Sequence, residues 1–109
     1  MCGIAGIFER NTDNKLLMSE MLSSIEHRGP DDQSIYTYQD FTLGHRRLSI
    51  IDVSTCGNQP IFNEDQSICV IFNGEIYNYE EIREELKAKG HVFYTATDTE
   101  VLVHLYEEY

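Results

Sequence analysis

The first eight residues of the chain are Met1-Cys2-Gly3-Ile4-Ala5-Gly6-Ile7-Phe8. The apolar run over residues 4–8, with its small residues, predicts a short β-strand against which other backbone packs closely. Cys2 stands directly before this strand. Removal of Met1 would leave Cys2 with both a thiol and a free α-amine. The ordinary pKa of a thiol is about 8.5 and that of an α-amine is about 7.7–8.0, so the amine can accept the thiol proton near neutral pH. The stretch therefore predicts a strand preceded by a cysteine, which by itself is either a candidate nucleophile or an accidental second-position cysteine.

Hydrophobic patterns along the rest of the chain predict a mixed α+β fold. Apolar residues spaced three or four apart predict helices that begin near Asp13, Asn78 and Thr97. Runs rich in apolar and β-branched residues predict further strands over residues 34–38, 42–51, 68–72 and 91–94. We expect the first two of these to form a hairpin and the third to be buried on both faces.

The two later predicted helices carry start signals. Asn78 can cap the second helix, and residues 97–100, Thr-Asp-Thr-Glu, have the form of a capping box for the third. The third helix is still amphipathic at residue 109, so we expect its apolar stripe to pack against later segments. The stripe consists of Leu102, Leu105, Tyr106 and Tyr109.

The composition excludes several classes of protein. Eight Lys and Arg against 19 Asp and Glu give a formal net charge of −11, which repels nucleic-acid backbones and anionic lipid surfaces. No apolar run approaches the ~18 residues of a membrane span, and the first residues lack the basic region of a signal peptide. The three cysteines and four histidines are scattered without the spacing of a zinc site. We therefore expect a cytoplasmic protein with no bound metal, nucleic-acid partner or membrane contact.

Six short motifs occur in order along the chain. Together they resemble the glutaminase domain of glutamine-hydrolysing asparagine synthetases, which are class II glutamine amidotransferases. The resemblance runs from Cys2 to Tyr109. It rests on Cys2-Gly3-Ile4-Ala5-Gly6-Ile7-Phe8, His27-Arg28-Gly29-Pro30-Asp31, Gly44-His45-Arg46-Arg47-Leu48-Ser49-Ile50-Ile51-Asp52, Asn58-Gln59-Pro60, Asn73-Gly74-Glu75-Ile76-Tyr77-Asn78 and Asp98-Thr99-Glu100.

The resemblance implies a fold and a domain organisation. The family has the αββα sandwich of N-terminal-nucleophile hydrolases, and residues 2–109, after removal of Met1, would be its N-terminal portion. The rest of this domain and an ATP-dependent synthetase domain of the same polypeptide would follow Tyr109. ATP and magnesium would bind in that synthetase domain, so the resemblance implies no cofactor within residues 2–109. The full-length protein could form a homodimer.

The resemblance also implies catalytic roles. Cys2 would attack the side-chain amide of L-glutamine, release ammonia and leave a glutamyl thioester that water cleaves, with its own α-amine as general base and acid. The Asn73 side chain and the Gly74 N–H would form the oxyanion hole, because tetrahedral intermediates of acyl transfer need aimed donors. Without its flanking residues, Asn73-Gly74 would simply predict a turn.

Free glutamine carries an α-carboxylate and an α-ammonium, so its pocket needs groups of opposite charge. Arg47 can hold the carboxylate through two parallel hydrogen bonds and Asp98 can hold the ammonium, with a surface arginine and a helix N-cap as the alternative interpretations. Arg46 is expected to be solvated, and Arg28 to serve structure ahead of catalysis. By resemblance the glutamine site is lined by Arg47, Leu48, Ser49, Ile50, Ile51, Asn73, Gly74, Glu75 and Asp98.

These observations predict one function and leave two alternatives open. The predicted function is the glutaminase half of an asparagine synthetase, which supplies ammonia for the ATP-dependent conversion of aspartate to asparagine. The alternatives are a glutaminase domain of the same branch that amidates a polysaccharide or a secondary metabolite, and a non-catalytic interaction fragment. The isolated chain is expected to be weakly active or inactive, because its apolar stripe and strand edges would be exposed.

Overall fold

A three-stranded antiparallel sheet forms the first half of the structure. The computed structural model describes residues 2–9, 13–48 and 57–109. The strands are β1 (Gly3–Phe8), β2 (Asp32–Tyr38) and β3 (Phe41–Arg47), and β3 lies between the other two. The predicted first strand and hairpin are therefore confirmed. The predicted continuation of β3 over residues 49–51 lies outside the described residues.

One helix, α1 (Lys15–Ser24), packs on this sheet. Met18 and Leu22 of its predicted apolar face are fully buried. The close packing predicted for the first strand occurs at Gly3, where an added Cβ would lie 2.7 Å from Ile25 Cδ1. A single turn of 3-10 helix, Glu26–Arg28, follows and leads the chain back to the sheet.

The second half contains two helices and a small sheet. Strands β4 (Ile61–Phe62) and β5 (Cys69–Val70) pair antiparallel, and helices α2 (Tyr79–Ala88) and α3 (Glu100–Glu108) pack against each other. Helix α3 also contacts both short strands. The chain is thus a mixed α/β fold, as predicted.

The predicted strand over residues 68–72 is shorter and less buried than expected. Only Cys69–Val70 pairs with another strand, and residues 68–72 are half-buried, so burial on both faces is wrong. The physical reason lies in the partners of the backbone. The partner strand β4 has two residues, and the Phe72 N–H donates 2.5 Å to Gln59 Oε1 of a loop instead of to a strand.

Residues 91–94 do not form the predicted strand. Their backbone donors bind carboxylates, because Val92 N–H donates to Glu64 Oε1 at 2.9 Å and Tyr94 N–H donates to Glu100 Oε1 at 2.9 Å. These carboxylates accept the backbone hydrogen bonds that a neighbouring strand would otherwise accept. The apolar content of this run was therefore a misleading signal.

The helix starts differ from the predicted caps. Asn78 stands at the N-cap position of α2, but its side chain forms no capping hydrogen bond there. The capping box is wrong: Glu100 accepts the Thr95 N–H at 2.7 Å, outside the helix, and the residue before α3 is Thr99. Helix α2 ends at Ala88, and Gly90 follows with φ of +99°, a conformation that glycine adopts readily.

Helix α3 packs through residues outside its apolar stripe, and the two tyrosines of the stripe are exposed, as expected for the isolated chain. Val101, Val103 and His104 are buried, whereas Tyr106 and Tyr109 are 77% and 79% exposed. A buried histidine on this face requires polar partners, which are described below. Over the described residues, no helix is long and apolar enough to cross a membrane.

Candidate functional site

Cys2 lies at a small cavity of about 70 Å³, called here the cysteine cavity. Five described segments meet there: the start of β1, the end of β3, the loop after residue 56, the chain that follows β5, and the chain that leads into α3. The antiparallel register places Gly3 opposite Arg46, so the residues just before β1 and just after β3 become neighbours. The cavity is lined by Cys2, Arg47, Leu48, Gly57, Gln59, Phe72, Gly74, Glu75, Thr97, Asp98 and Thr99.

Cys2 is held at both its sulfur and its carbonyl. The Leu48 N–H donates to Cys2 Sγ at 3.3 Å, and Arg28 Nε donates to the Cys2 carbonyl oxygen at 3.2 Å. The Arg28 contact is to backbone, which fits the structural role expected for this side chain. Together the two contacts direct the half-buried thiol toward the cavity.

Arg47 is a buried arginine of the cavity, with 6% of its surface exposed. Its Nη1 donates to Asn58 Oδ1, which holds the guanidinium against the loop after residue 56. The alternative of a surface arginine is therefore wrong. Arg46 is buried as well, so the expectation that it is solvated is also wrong: its guanidinium donates to Gln33 Oε1 at 2.8 Å and lies 3.2 Å from Glu26 Oε1.

The turn at Gly29-Pro30-Asp31 positions Arg47. The Asp31 N–H donates to the Arg47 carbonyl oxygen at 2.9 Å, and Pro30 forms a parallel bridge with Arg47. A Cβ on Gly29 would lie 2.4 Å from the carbonyl carbon and oxygen of Arg46, so only glycine allows the turn to lie this close to β3. Sequence reasoning identified the turn but missed this function.

Asp98 is buried on the other side of the cavity, with 6% exposed. Its Oδ2 accepts the Ile76 N–H at 2.8 Å, which ties the chain after β5 to the start of α3. The alternative of a helix N-cap is not what the structure shows, because Thr99 holds that position. Arg47 and Asp98 thus place opposite charges on the wall of one cavity.

His45 lies two residues before Arg47 on the same face of β3 and is 1% exposed. Neither ring nitrogen has a hydrogen-bond partner among the described residues. Burial, aided by the Arg47 charge, lowers the pKa of His45 from 6.5 to about 4, although the Phe72 backbone and Asp32 act in the opposite direction. The ring is therefore neutral near pH 7 and places no second positive charge beside Arg47.

Comparison with known proteins assigns the chain to a family. The family model for the glutamine amidotransferase domain matches residues 1–109. The chain belongs to this glutamine amidotransferase family. Among similar proteins are glutamine-hydrolysing asparagine synthetase 1 of Bacillus subtilis and glutamine-hydrolysing asparagine synthetase 2 of rice, each 47% identical over the whole chain. Glutamine-hydrolysing asparagine synthetase 1 of Arabidopsis thaliana is 46% identical. The chain spans 18–19% of the length of these relatives, and the resemblance to this family is confirmed.

The predicted site residues of this amidotransferase domain fall into three groups. Cys2, Arg47, Leu48, Gly74, Glu75 and Asp98 line the cysteine cavity together. Asn73 is half-buried beside Gly74 and is not among the lining residues. Ser49, Ile50 and Ile51 lie outside the described residues, as does Cys56, for which sequence reasoning found no role.

Gln59 is a lining residue that sequence reasoning missed. Its Oε1 accepts the Phe72 N–H, and its Nε2 donates to Thr99 Oγ1 at 3.4 Å. One buried side chain therefore links the loop after residue 56, the end of β5 and the start of α3 in the amidotransferase domain. The motif Asn58-Gln59-Pro60 was one of the six that carried the family resemblance, but the sequence analysis assigned Gln59 no role.

Proposed function

We propose that this amidotransferase domain hydrolyses the side-chain amide of glutamine through a thioester on Cys2. The sulfur bonds to the amide carbon while the thiol proton passes to the α-amine of Cys2 and on to the leaving nitrogen, which departs as ammonia. Water then cleaves the thioester, giving glutamate and the free thiol. The observation that carries the proposal is that Cys2 Sγ, Arg47 and Asp98 line one cavity in a chain of this family.

The charges of the cavity fit the two charged groups of free glutamine. The guanidinium of Arg47 binds the α-carboxylate through parallel hydrogen bonds, and the carboxylate of Asp98 binds the α-ammonium. Burial strengthens both interactions, because a low local dielectric weakens screening by water. Leu48 and Glu75 complete the described wall, and Ser49, Ile50 and Ile51 belong to the proposed pocket by family resemblance.

The oxyanion of each tetrahedral intermediate is stabilised by Asn73 and Gly74 in this proposal. Gly74 lines the cavity through its own atoms, and Asn73 directly precedes it. A side-chain amide and a backbone N–H then supply two donors to the developing negative charge.

The ammonia is proposed to serve asparagine synthesis, as the names of the relatives indicate for those proteins. An ATP-dependent synthetase domain of the same polypeptide would use it to convert aspartate to asparagine, and ATP and magnesium would bind in that domain. The αββα sandwich, the cytoplasmic location and a homodimer of the full-length protein are further parts of this proposal.

Replacement of the nucleophile in the full-length protein tests the function. Cys2→Ala should lower glutamine hydrolysis at least about 1,000-fold, while ammonia-dependent asparagine synthesis continues. Cys69→Ala is the matched control, because that thiol lies in β5 outside the cysteine cavity and burial raises its pKa, which lowers its thiolate fraction. Intact mass should show a mature chain that begins at Cys2. Retained glutaminase activity in Cys2→Ala, or a glutaminase-active protein that keeps Met1, would contradict the mechanism.

A further inference from the structure

Two histidines and two glutamates meet away from the cysteine cavity and share no residue with it. Glu64 comes from the β4–β5 turn, His91 from the connection between α2 and α3, and His104 and Glu107 from α3. One ligand atom from each of the four lies within 4.8 Å of the others. This histidine–glutamate cluster was not expected, because its members are scattered along the sequence.

Each histidine of the cluster is oriented by a further carboxylate. His91 Nε2 lies 2.8 Å from Glu108 Oε2, and His104 Nε2 lies 3.3 Å from the fully buried Glu100 Oε1. An ionised carboxylate only accepts hydrogen bonds, so each Nε2 that faces one is a donor, and a neutral ring then presents a lone pair at Nδ1. A histidine that donates one nitrogen to a carboxylate and turns the other inward is the usual arrangement of a metal ligand.

The two inward nitrogens converge on one oxygen. Glu64 Oε1 lies 3.3 Å from His104 Nδ1 and 3.6 Å from His91 Nδ1. His104 is fully buried, and its Nδ1 has no hydrogen-bond partner within the described ranges. A carboxylate oxygen that faces two imidazole nitrogens at these distances is stabilised by a positive charge, which either a protonated ring or a bound cation can supply.

We propose that the histidine–glutamate cluster binds a divalent transition-metal ion, with zinc as the representative. Zinc bonds of about 2.0–2.1 Å in a tetrahedral site separate neighbouring ligand atoms by about 3.4 Å, which matches the two distances to Glu64. His104 and Glu107 are three residues apart and share a face of α3. Imidazole ligands favour zinc, nickel and copper over calcium and magnesium.

The remaining atoms of the cluster suit this role. Asn63 Nδ2 donates to Glu107 Oε2 at 3.1 Å, which orients that carboxylate. The side chains of Glu64 and Glu107 reach solvent, so they provide a route of entry and can move to close the site. The formal net charge of −11 also attracts cations.

Lys89 is the nearby cation that could neutralise the cluster instead. Its Nζ lies 2.6 Å from the Tyr109 hydroxyl, 3.5 Å from Glu85 Oε1 and 3.9 Å from Glu108 Oε1. None of these partners is one of the four proposed ligands. Lys89 therefore serves the contact between α2 and α3, although it lines the same pocket as Glu64, His91 and Glu107.

Metal titration of the untagged full chain tests the site. The protein carries Cys2→Ala, because an N-terminal cysteine can itself bind metals, and is first treated with a chelator. One equivalent of Co²⁺ should give the visible absorption of a tetrahedral ion without a thiolate charge-transfer band, and Zn²⁺ should displace it and raise the Tm. His91→Gln and Glu64→Gln should each weaken Zn²⁺ affinity at least about 10-fold, whereas the exposed controls His27→Gln and Glu81→Gln should not.

Three results would overturn the proposal. The first is the absence of stoichiometric Co²⁺ or Zn²⁺ binding by the chelator-treated protein. The second is a Zn²⁺ affinity that neither His91→Gln nor Glu64→Gln changes, together with histidine rings that titrate as ordinary ion-pair partners of the nearby carboxylates. The third is a thiolate charge-transfer band, which would place the ion on Cys69 or Cys56. Neither ligand variant removes the fully buried His104, so folding and binding can be measured separately.

Discussion

His45 and His104 are both buried, with 1% and 0% of their surface exposed, yet their surroundings differ in charge. His45 lies on β3 beside the guanidinium of Arg47, and the buried ring is kept neutral. His104 lies on α3 between Glu100 and Glu64, each 3.3 Å from one of its nitrogens. One ring thus lies near the positive charge of Arg47, whereas the other lies between two carboxylates.

The comparison teaches that the neighbours of a buried histidine decide its chemistry. In the cysteine cavity, Arg47 and Asp98 supply one charge of each sign, which suits a ligand with both an anionic and a cationic group. The histidine–glutamate cluster combines two imidazole rings with two carboxylates, which suits a cation. The two regions should therefore respond differently to the same kinds of change.

The largest effect is expected from Arg47→Lys in the full-length protein. A lysine ammonium cannot reproduce two parallel hydrogen bonds to a carboxylate, so the KM for glutamine should rise about 100-fold, or about 2.7 kcal/mol. Glutaminase kinetics measure it. Arg46→Lys changes a second buried arginine that does not line the cavity and should leave the KM near that of the wild type. Equal KM values in the wild type, Arg47→Lys and Arg46→Lys would show that Arg47 does not bind the glutamine carboxylate.

Gly29→Ala should destabilise the fold by about 2 kcal/mol, because its Cβ would meet backbone of β3 at 2.4 Å and force the turn away. Chemical denaturation measures the free energy of unfolding. Gly6→Ala is the control, since an added Cβ there would approach nothing closer than 3.9 Å. If the two variants unfold alike, the turn does not depend on its contact with β3.

Asp98→Asn should raise the KM for glutamine about 10-fold, because the ammonium loses a charged partner while the amide oxygen still accepts the Ile76 N–H. The effect should be smaller than that of Arg47→Lys. Asp13→Asn, at an exposed position before α1, is the matched control. A kcat loss without a change in KM would show that Asp98 does not bind the substrate.

The smallest effect is expected from the titration of His45. Its folded-state pKa of about 4 lies below the unfolded value of 6.5, so the unfolded chain binds the proton first and stability falls as the pH decreases through this interval. Between pH 7.5 and 5.5 the loss should be about 1 kcal/mol. Unfolding curves with a chelator present measure it, and His45→Gln should reduce the pH dependence by that amount. An equal dependence in both proteins would assign the titration to other groups.

The sequence predicted the first half of the fold more closely than the second. Strands β1 to β3 and helix α1 occur where the sequence predicted them, and Met18 and Leu22 of the apolar face of α1 are buried. Residues 91–94 also carry a run of apolar side chains, but the carboxylates of Glu64 and Glu100 bind their backbone donors. A period describes which side chains are apolar and does not report where the backbone hydrogen bonds go.

The sequence by itself determined that the chain is acidic and has a mixed α/β pattern. Its motifs also indicated the glutamine amidotransferase family and made Cys2, Arg47 and Asp98 candidates for one site. The tertiary structure decided which of them meet, because Cys2 and Leu48 are 46 positions apart and become neighbours only through the pairing of β1 with β3. It alone brought His91 and His104 to the same glutamate. The physical reason is that local patterns record the burial of one element at a time, whereas a site depends on contacts between elements that no local pattern encodes.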